Sequence, residues 1–122
     1  MPELLDDTYD KLKTLKLAHP ESAFEVKLFA ADNPRHGNRP HRLSISLGNV
    51  RPAHITVQHL KDNDLWMTTR DGLTPQWQEG SYNFVKPDVF LRFIEKLIPK
   101  AVQDHIFLGH EIDKALQEAR GL

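Results

Sequence analysis

Apolar and polar residues alternate along two neighbouring segments in the middle of the chain, residues 42–47 and 53–59. A period of two places the apolar side chains on one face of a β-sheet and the polar side chains on the other. Gly48 tolerates a positive φ and Pro52 lacks an amide donor, so the intervening residues should form a hairpin connection. The predicted cross-strand partners are Leu47 with Ala53, Ile45 with Ile55, Leu43 with Val57, His41 with His59, Ser46 with His54, Ser44 with Thr56, and Arg42 with Gln58.

A shift of one residue in either strand would turn its apolar side chains away from the core, so burial should enforce this register. The same alternation, with turn-forming residues between the runs, predicts further strands at 24–30, 65–69 and 81–85. Residues 32–40 contain two prolines, one glycine and two asparagines and should form a loop. The short connections between most of these strands indicate an antiparallel sheet of four or five strands.

Helical periodicity appears on both sides of the strand region. Apolar residues recur at one-turn spacing in 2–17, in 87–98 and in 100–120, with Pro99 separating the last two helices and Gly109 expected to weaken or bend the last. The order α-β-β-β-β-β-α-α, with helices segregated from strands, is typical of the α+β class. We predict one domain, 1–122, with all three helices on one face of the sheet. That face should be lined by Val26, Leu28, Leu43, Ile45, Ile55 and Val57.

The amino-acid composition says more about the cellular environment of the protein than about its function. The 122-residue chain contains no cysteine, so disulfides, thiolate metal sites and a cysteine nucleophile are excluded. The first residues lack a basic segment followed by a long apolar run, and no apolar stretch approaches membrane-spanning length. We therefore expect a cytoplasmic protein that does not bind membranes.

Charge is unevenly distributed along a chain whose net charge is only −1. Residues 33–60 carry four arginines and four of the seven histidines but no Asp or Glu. Because Arg forks match carboxylate and phosphate geometry, this segment suggests a non-catalytic binding protein. Its partner would be an acidic protein surface or a nucleic acid. The predicted binding residues are Arg35, His36, Arg39, Arg42, Arg51 and His54.

The positions of the aromatic residues help to distinguish an acidic protein partner from a nucleic acid. Sheet surfaces that bind nucleic acids usually present rings on which bases stack, and residues 33–60 contain no Phe, Trp or Tyr. Trp66, on the next predicted strand, is able to supply one. We nevertheless predict that Trp66 and Trp77 are core residues, because large aromatic side chains are mostly buried.

Two other kinds of function compete with this hypothesis. The predicted pairing of His41 with His59, with Asp62 or Asp64 in the next turn, would give a small-ligand or metal-dependent enzyme two imidazoles and a carboxylate. The simpler interpretation is that both rings cover the margin of the core, so no metal ligand, cofactor or catalytic residue is predicted. Ser46 opposite His54 is interpreted as a solvated polar contact. A structural or oligomer-forming domain is the third alternative.

Overall fold

Helices and strands follow one another in the predicted α+β order. The computed structural model describes residues 2–29, 41–59, 64–75, 77–78 and 80–121. Its elements are α1 (Pro2–Ala18), β1 (Phe24–Phe29), β2 (Arg42–Leu47), β3 (Ala53–His59), β4 (Leu65–Arg70), β5 (Ser81–Val85), α2 (Pro87–Leu97), a 3₁₀ turn (Ile98–Lys100) and α3 (Gly109–Ala119). The strands form one antiparallel sheet in the sequential order β1-β2-β3-β4-β5.

The central hairpin has the predicted register. Six pairs connect β2 and β3, from Leu47 opposite Ala53 to Arg42 opposite Gln58. Gly48 follows β2 with φ of 109°, a conformation that residues with a Cβ rarely adopt, and so allows the tight connection. The described ladder ends at Arg42 and Gln58, so the predicted pair of His41 and His59 is not part of it.

The helices pack on one face of the sheet and bury it. Leu43, Ile45, Ile55 and Val57 are all 0% exposed, as the alternation predicted. They lie in one cluster with the apolar side of α1 and with buried Phe and Ile residues of α2. Full burial of one such aliphatic side chain contributes about 1.5–3 kcal/mol. Val26 and Leu28 are only partly buried because β1 lies at the edge of the sheet.

The end of the chain departs from the prediction. The helix expected over 100–120 begins only at Gly109, and residues 101–108 contain no helix. Val102, which the predicted helix over 100–120 would have turned inward, is 41% exposed, whereas Phe107 is fully buried. Leu108 is extended, and its amide donates to the Glu111 carboxylate at 2.9 Å, which starts a new helix there. Burial of Phe107 and this cap outweigh the local helical periodicity.

Two contacts connect the C-terminal region to the sheet. The Ala23 amide, just before β1, donates to the Ala101 carbonyl. At the other edge of the sheet, Arg120 Nη2 donates to the Phe84 carbonyl of β5 at 2.8 Å.

Among the described helices, none combines the length and the hydropathy needed to cross a membrane.

Candidate functional site

The outward side chains of the five strands form a second face, which we call the outer face. Cross-strand pairing arranges them in three rows. These rows are Phe29, Arg42, Gln58, Trp66 and Phe84; Lys27, Ser44, Thr56, Thr68 and Tyr82; and Glu25, Ser46, His54 and Arg70. Every one of these side chains is partly or fully exposed, so none of the described helices covers them as the inner face is covered.

An aromatic cluster occupies the β4–β5 side of the outer face. The rings of Trp66 and Tyr82 stack with centroids 5.3 Å apart and an interplanar angle of 17°. Phe84 lies against Trp66 at 4.5 Å and 52°, and it is 59% exposed. Stacking holds the rings together while leaving aromatic surface open to solvent.

The prediction that Trp66 and Trp77 are core residues is wrong. Leu65 and Met67 of β4 point into the core, so Trp66 between them must point outward. Trp77 lies in the β4–β5 connection and is 80% exposed. The absence of aromatic residues from 33–60 had argued against a nucleic-acid partner. Trp66, Trp77 and Tyr82 now supply exposed aromatic surface close to that segment's strands.

The outer face carries cations at both ends. Arg42 lies at one end, where its guanidinium carbon is 4.6 Å from the centroid of the Phe29 ring. This cation–π contact holds the planar guanidinium against an aromatic face. Arg42 Nη1 is buried and makes no hydrogen bond within the described parts of the chain.

At the opposite end, His54 of β3 is paired across the sheet with Arg70 of β4. Partial burial of the imidazole, and then the positive charge of Arg70, lower the pKa of His54 below its ordinary value of 6.5. The ring is therefore mostly neutral at pH 7 and offers one N–H donor and one nitrogen acceptor. Arg70 supplies the permanent charge at this end.

Arg51, in the connection between β2 and β3, reaches the same end. A Cβ at Gly72 would lie 2.1 Å from the Arg51 carbonyl oxygen, so the two turns are in close backbone contact. Arg51, His54 and Arg70 together line a cleft of about 320 Å³. Of the predicted binding residues, the structure thus brings Arg51 and His54 together and places Arg42 at the other end of the face. Arg35, His36 and Arg39 lie outside the described residues.

A second cleft, of about 380 Å³, lies on the outer face itself and shares His54 and Arg70 with the first. Its position depends on Gly80, because a Cβ there would lie 1.8 Å from the Thr69 carbonyl oxygen. This close approach lets the β4–β5 connection fold back against β4. The lining residues are Ser44, His54, Thr56, Thr68, Arg70, Trp77, Gln78, Gly80 and Tyr82.

Asp71 organises the turn that lines the cleft beside Arg51. Its Oδ1 accepts hydrogen bonds from the Leu73 amide at 2.9 Å and from the Thr74 amide and hydroxyl at 2.7 Å each. The Gly109 amide, at the first residue of α3, donates to the same carboxylate. Burial alone would raise the pKa of Asp71, but these hydrogen bonds together outweigh it and lower the pKa. The carboxylate therefore connects the turn to the positive end of α3.

Comparison with known proteins identified no relative. No family model matches the chain, and neither a curated protein nor a solved structure is significantly similar to it.

The residues of the alternative metal site are not assembled into one. His41 Nε2 lies 3.7 Å from Asp6 Oδ1, and Asp64 Oδ1 is 2.5 Å from Lys86 Nζ in a salt bridge. The described residues contain no group of three or more His, Cys, Asp or Glu side chains that is able to hold a metal ion. Asp62 lies outside the described residues.

Arg70, Tyr82 and Trp77 were not among the predicted site residues. Strand parity places Arg70 and Tyr82 on the outer face, because Thr69 and Val85 of the same strands are buried. The alternation in the sequence could therefore have found these two. Trp77 lies outside any strand, and no periodic pattern indicates its exposure.

Proposed function

We propose that this protein is a non-catalytic binding protein that holds single-stranded nucleic acid on its outer face. Unpaired bases stack on exposed aromatic rings, and phosphates accept hydrogen bonds from Arg. The outer face offers both, since the rings of Trp66, Tyr82 and Phe84 share it with Arg42 and Arg70.

The observation that carries this proposal is the aromatic cluster exposed on the outer face. An acidic protein surface, the other partner considered, requires cations but gains little from open ring faces. The strand residues of the outer face comprise Lys27, Arg42 and Arg70 against the single carboxylate of Glu25. A surface that combines aromatic rings with an excess of cations matches the bases and the phosphates of one strand.

The proposal is tested by fluorescence anisotropy with labelled single-stranded RNA and DNA of about 12 nucleotides, within the usual range of site sizes. Phe84→Ala should weaken binding because a base loses its stacking partner, which is worth about 1–3 kcal/mol. Arg42→Gln should also weaken binding and should reduce its dependence on salt. Matched controls on the helical side are Leu17→Ala, at a side chain that is 82% exposed, and Lys100→Gln.

Each outcome separates the candidate partners. Failure of the wild-type protein to bind either oligonucleotide in low salt would refute the proposal. Oligonucleotide binding that both outer-face variants leave unchanged would place the contact elsewhere and would also refute it. Binding to an acidic polypeptide that requires Arg42 but not Phe84, without oligonucleotide binding, would favour the acidic protein partner instead.

A further inference from the structure

We propose that the cleft between β3, β4 and Trp77 is a mononucleotide site that receives one unpaired base and its phosphate. This inference rests on the proposed function and deepens it, because it assigns one position along the bound strand to a defined set of residues. The remaining nucleotides would lie on the aromatic cluster beyond it.

The size and walls of the cleft fit a base. Its volume of about 380 Å³ falls at the small end of ligand sites, which span roughly 300–1,000 Å³. Trp77 and Tyr82 both line the cleft and are 80% and 43% exposed, and the Trp77 ring supplies the surface on which a base stacks. A flat heterocycle that enters the cleft gains aromatic contact without displacing any part of the core.

Polar groups within the cleft suit the edge of a base. The hydroxyls of Ser44, Thr56 and Thr68 occupy adjacent positions of one cross-strand row, and Tyr82 ends that row. A hydroxyl donates one hydrogen bond and accepts others, so the row is able to pair with either a donor or an acceptor on a base. Recognition by hydroxyls that rotate to suit their partner tolerates several bases.

The phosphate is assigned to the end of the cleft at His54 and Arg70. The adjoining cleft shares these two residues and adds Arg51, so two arginine residues line the same region. Within the described residues, Arg70 has no salt bridge to a carboxylate, and the neighbouring Asp71 carboxylate already accepts hydrogen bonds from its own turn and from α3. We therefore assign Arg70 as the donor to the phosphate.

The test is an NMR titration of the wild-type protein with AMP and UMP, compared with inorganic phosphate and with unphosphorylated adenosine. AMP and UMP should shift the Trp77 indole and the backbone amides of Thr68 and Tyr82. Trp77→Ala should weaken AMP binding about 5- to 100-fold, the range expected when one base loses its stacking partner. Arg70→Gln should reduce the affinity for AMP to that for adenosine. Leu17→Ala, on α1, serves as the control variant and should leave the titration unchanged.

Failure of this inference is distinguishable from failure of the proposed function. Oligonucleotide binding without AMP shifts in the cleft, or AMP binding that Trp77→Ala leaves unchanged, would overturn the mononucleotide site and leave the proposed function standing. Inorganic phosphate that reproduces the AMP shifts would show an anion site only and would also overturn it. AMP shifts in the cleft with no oligonucleotide binding would support the site and overturn the proposed function. If the protein binds neither AMP nor the oligonucleotides, the mononucleotide site and the proposed function are both overturned. Trp77 is 80% exposed, so its replacement should not unfold the protein, and Arg70→Gln provides an independent variant.

Discussion

Replacement of Asp71 tests whether one carboxylate holds the turn that lines the cleft beside Arg51. The side chain accepts hydrogen bonds from Leu73, from Thr74 and from the first residue of α3. Loss of a comparable capping side chain costs about 0.5–2 kcal/mol. Because Asp71 serves two segments but is only partly buried, we expect Asp71→Ala to cost about 1–2 kcal/mol. Asp71→Asn keeps an oxygen acceptor but loses the charge, so it should cost less.

The pH dependence of this cost follows from the lowered pKa of Asp71. A carboxyl group whose pKa is lower in the folded than in the unfolded protein stabilises the fold above the unfolded value, here near 3.8. That contribution is lost as the pH falls through the folded pKa. The difference in stability between wild type and Asp71→Asn should therefore be largest near neutral pH and should shrink below about pH 4.

Urea denaturation followed by tryptophan fluorescence measures these free energies of unfolding. A loss of 1 kcal/mol corresponds to a decrease in Tm of roughly 3–6 °C for a chain of this size. Glu95→Ala, at an exposed position of α2, is the control and should change stability by less than about 0.5 kcal/mol. An unchanged urea midpoint for Asp71→Ala, or a difference in stability between Asp71→Asn and wild type that does not shrink between pH 7 and pH 3, would refute the reasoning.

Three further predictions concern the titration of the outer face, the core and the sheet edge. Arg70→Ala should raise the pKa of His54 but leave it below 6.5, since burial is the larger cause of its depression; an NMR titration of the imidazole checks this, and an unchanged pKa would contradict it. Phe93→Ala, in the fully buried core, should cost about 3–5 kcal/mol in urea denaturation, and a cost below 1 kcal/mol would contradict the packing. Arg120→Ala frees the Phe84 carbonyl at the edge of β5 and should increase self-association in analytical ultracentrifugation, whereas an unchanged sedimentation profile would show that Arg120 does not protect this edge.

The central hairpin could be predicted from sequence because two independent constraints agree there. Gly48 and Pro52 limit where the chain turns, and burial of Ile45 against Ile55 permits one register only. Local rules were sufficient because each strand pairs with its neighbour along the chain. The placement of Arg51 beside Gly72 could not be predicted from sequence, because it depends on a contact between two turns that are distant along the chain.

Local periodicity misled the prediction where the reason for the structure is distant in sequence. Apolar residues in 100–120 recur at helical spacing, but the buried side chain of Phe107 and the cap at Leu108 require an extended segment before α3. The exposure of Trp77 also had no local signal, because it depends on how closely Gly80 approaches Thr69. The cleft formed by this contact was therefore inaccessible to sequence analysis.

The sequential strand order has a consequence for the speed of folding. Each strand pairs with its neighbour along the chain, so each strand-to-strand contact requires closure of one connection, and the entropic cost of closure rises only slowly with its length. Hydrogen bonds that span most of the chain include that of Ala23 with Ala101 and that of Ser22 with Ile98, where the hydroxyl donates to the carbonyl at 2.6 Å. We expect the hairpins to assemble first and docking of the 98–107 segment against the start of β1 to complete the native state, in milliseconds to seconds.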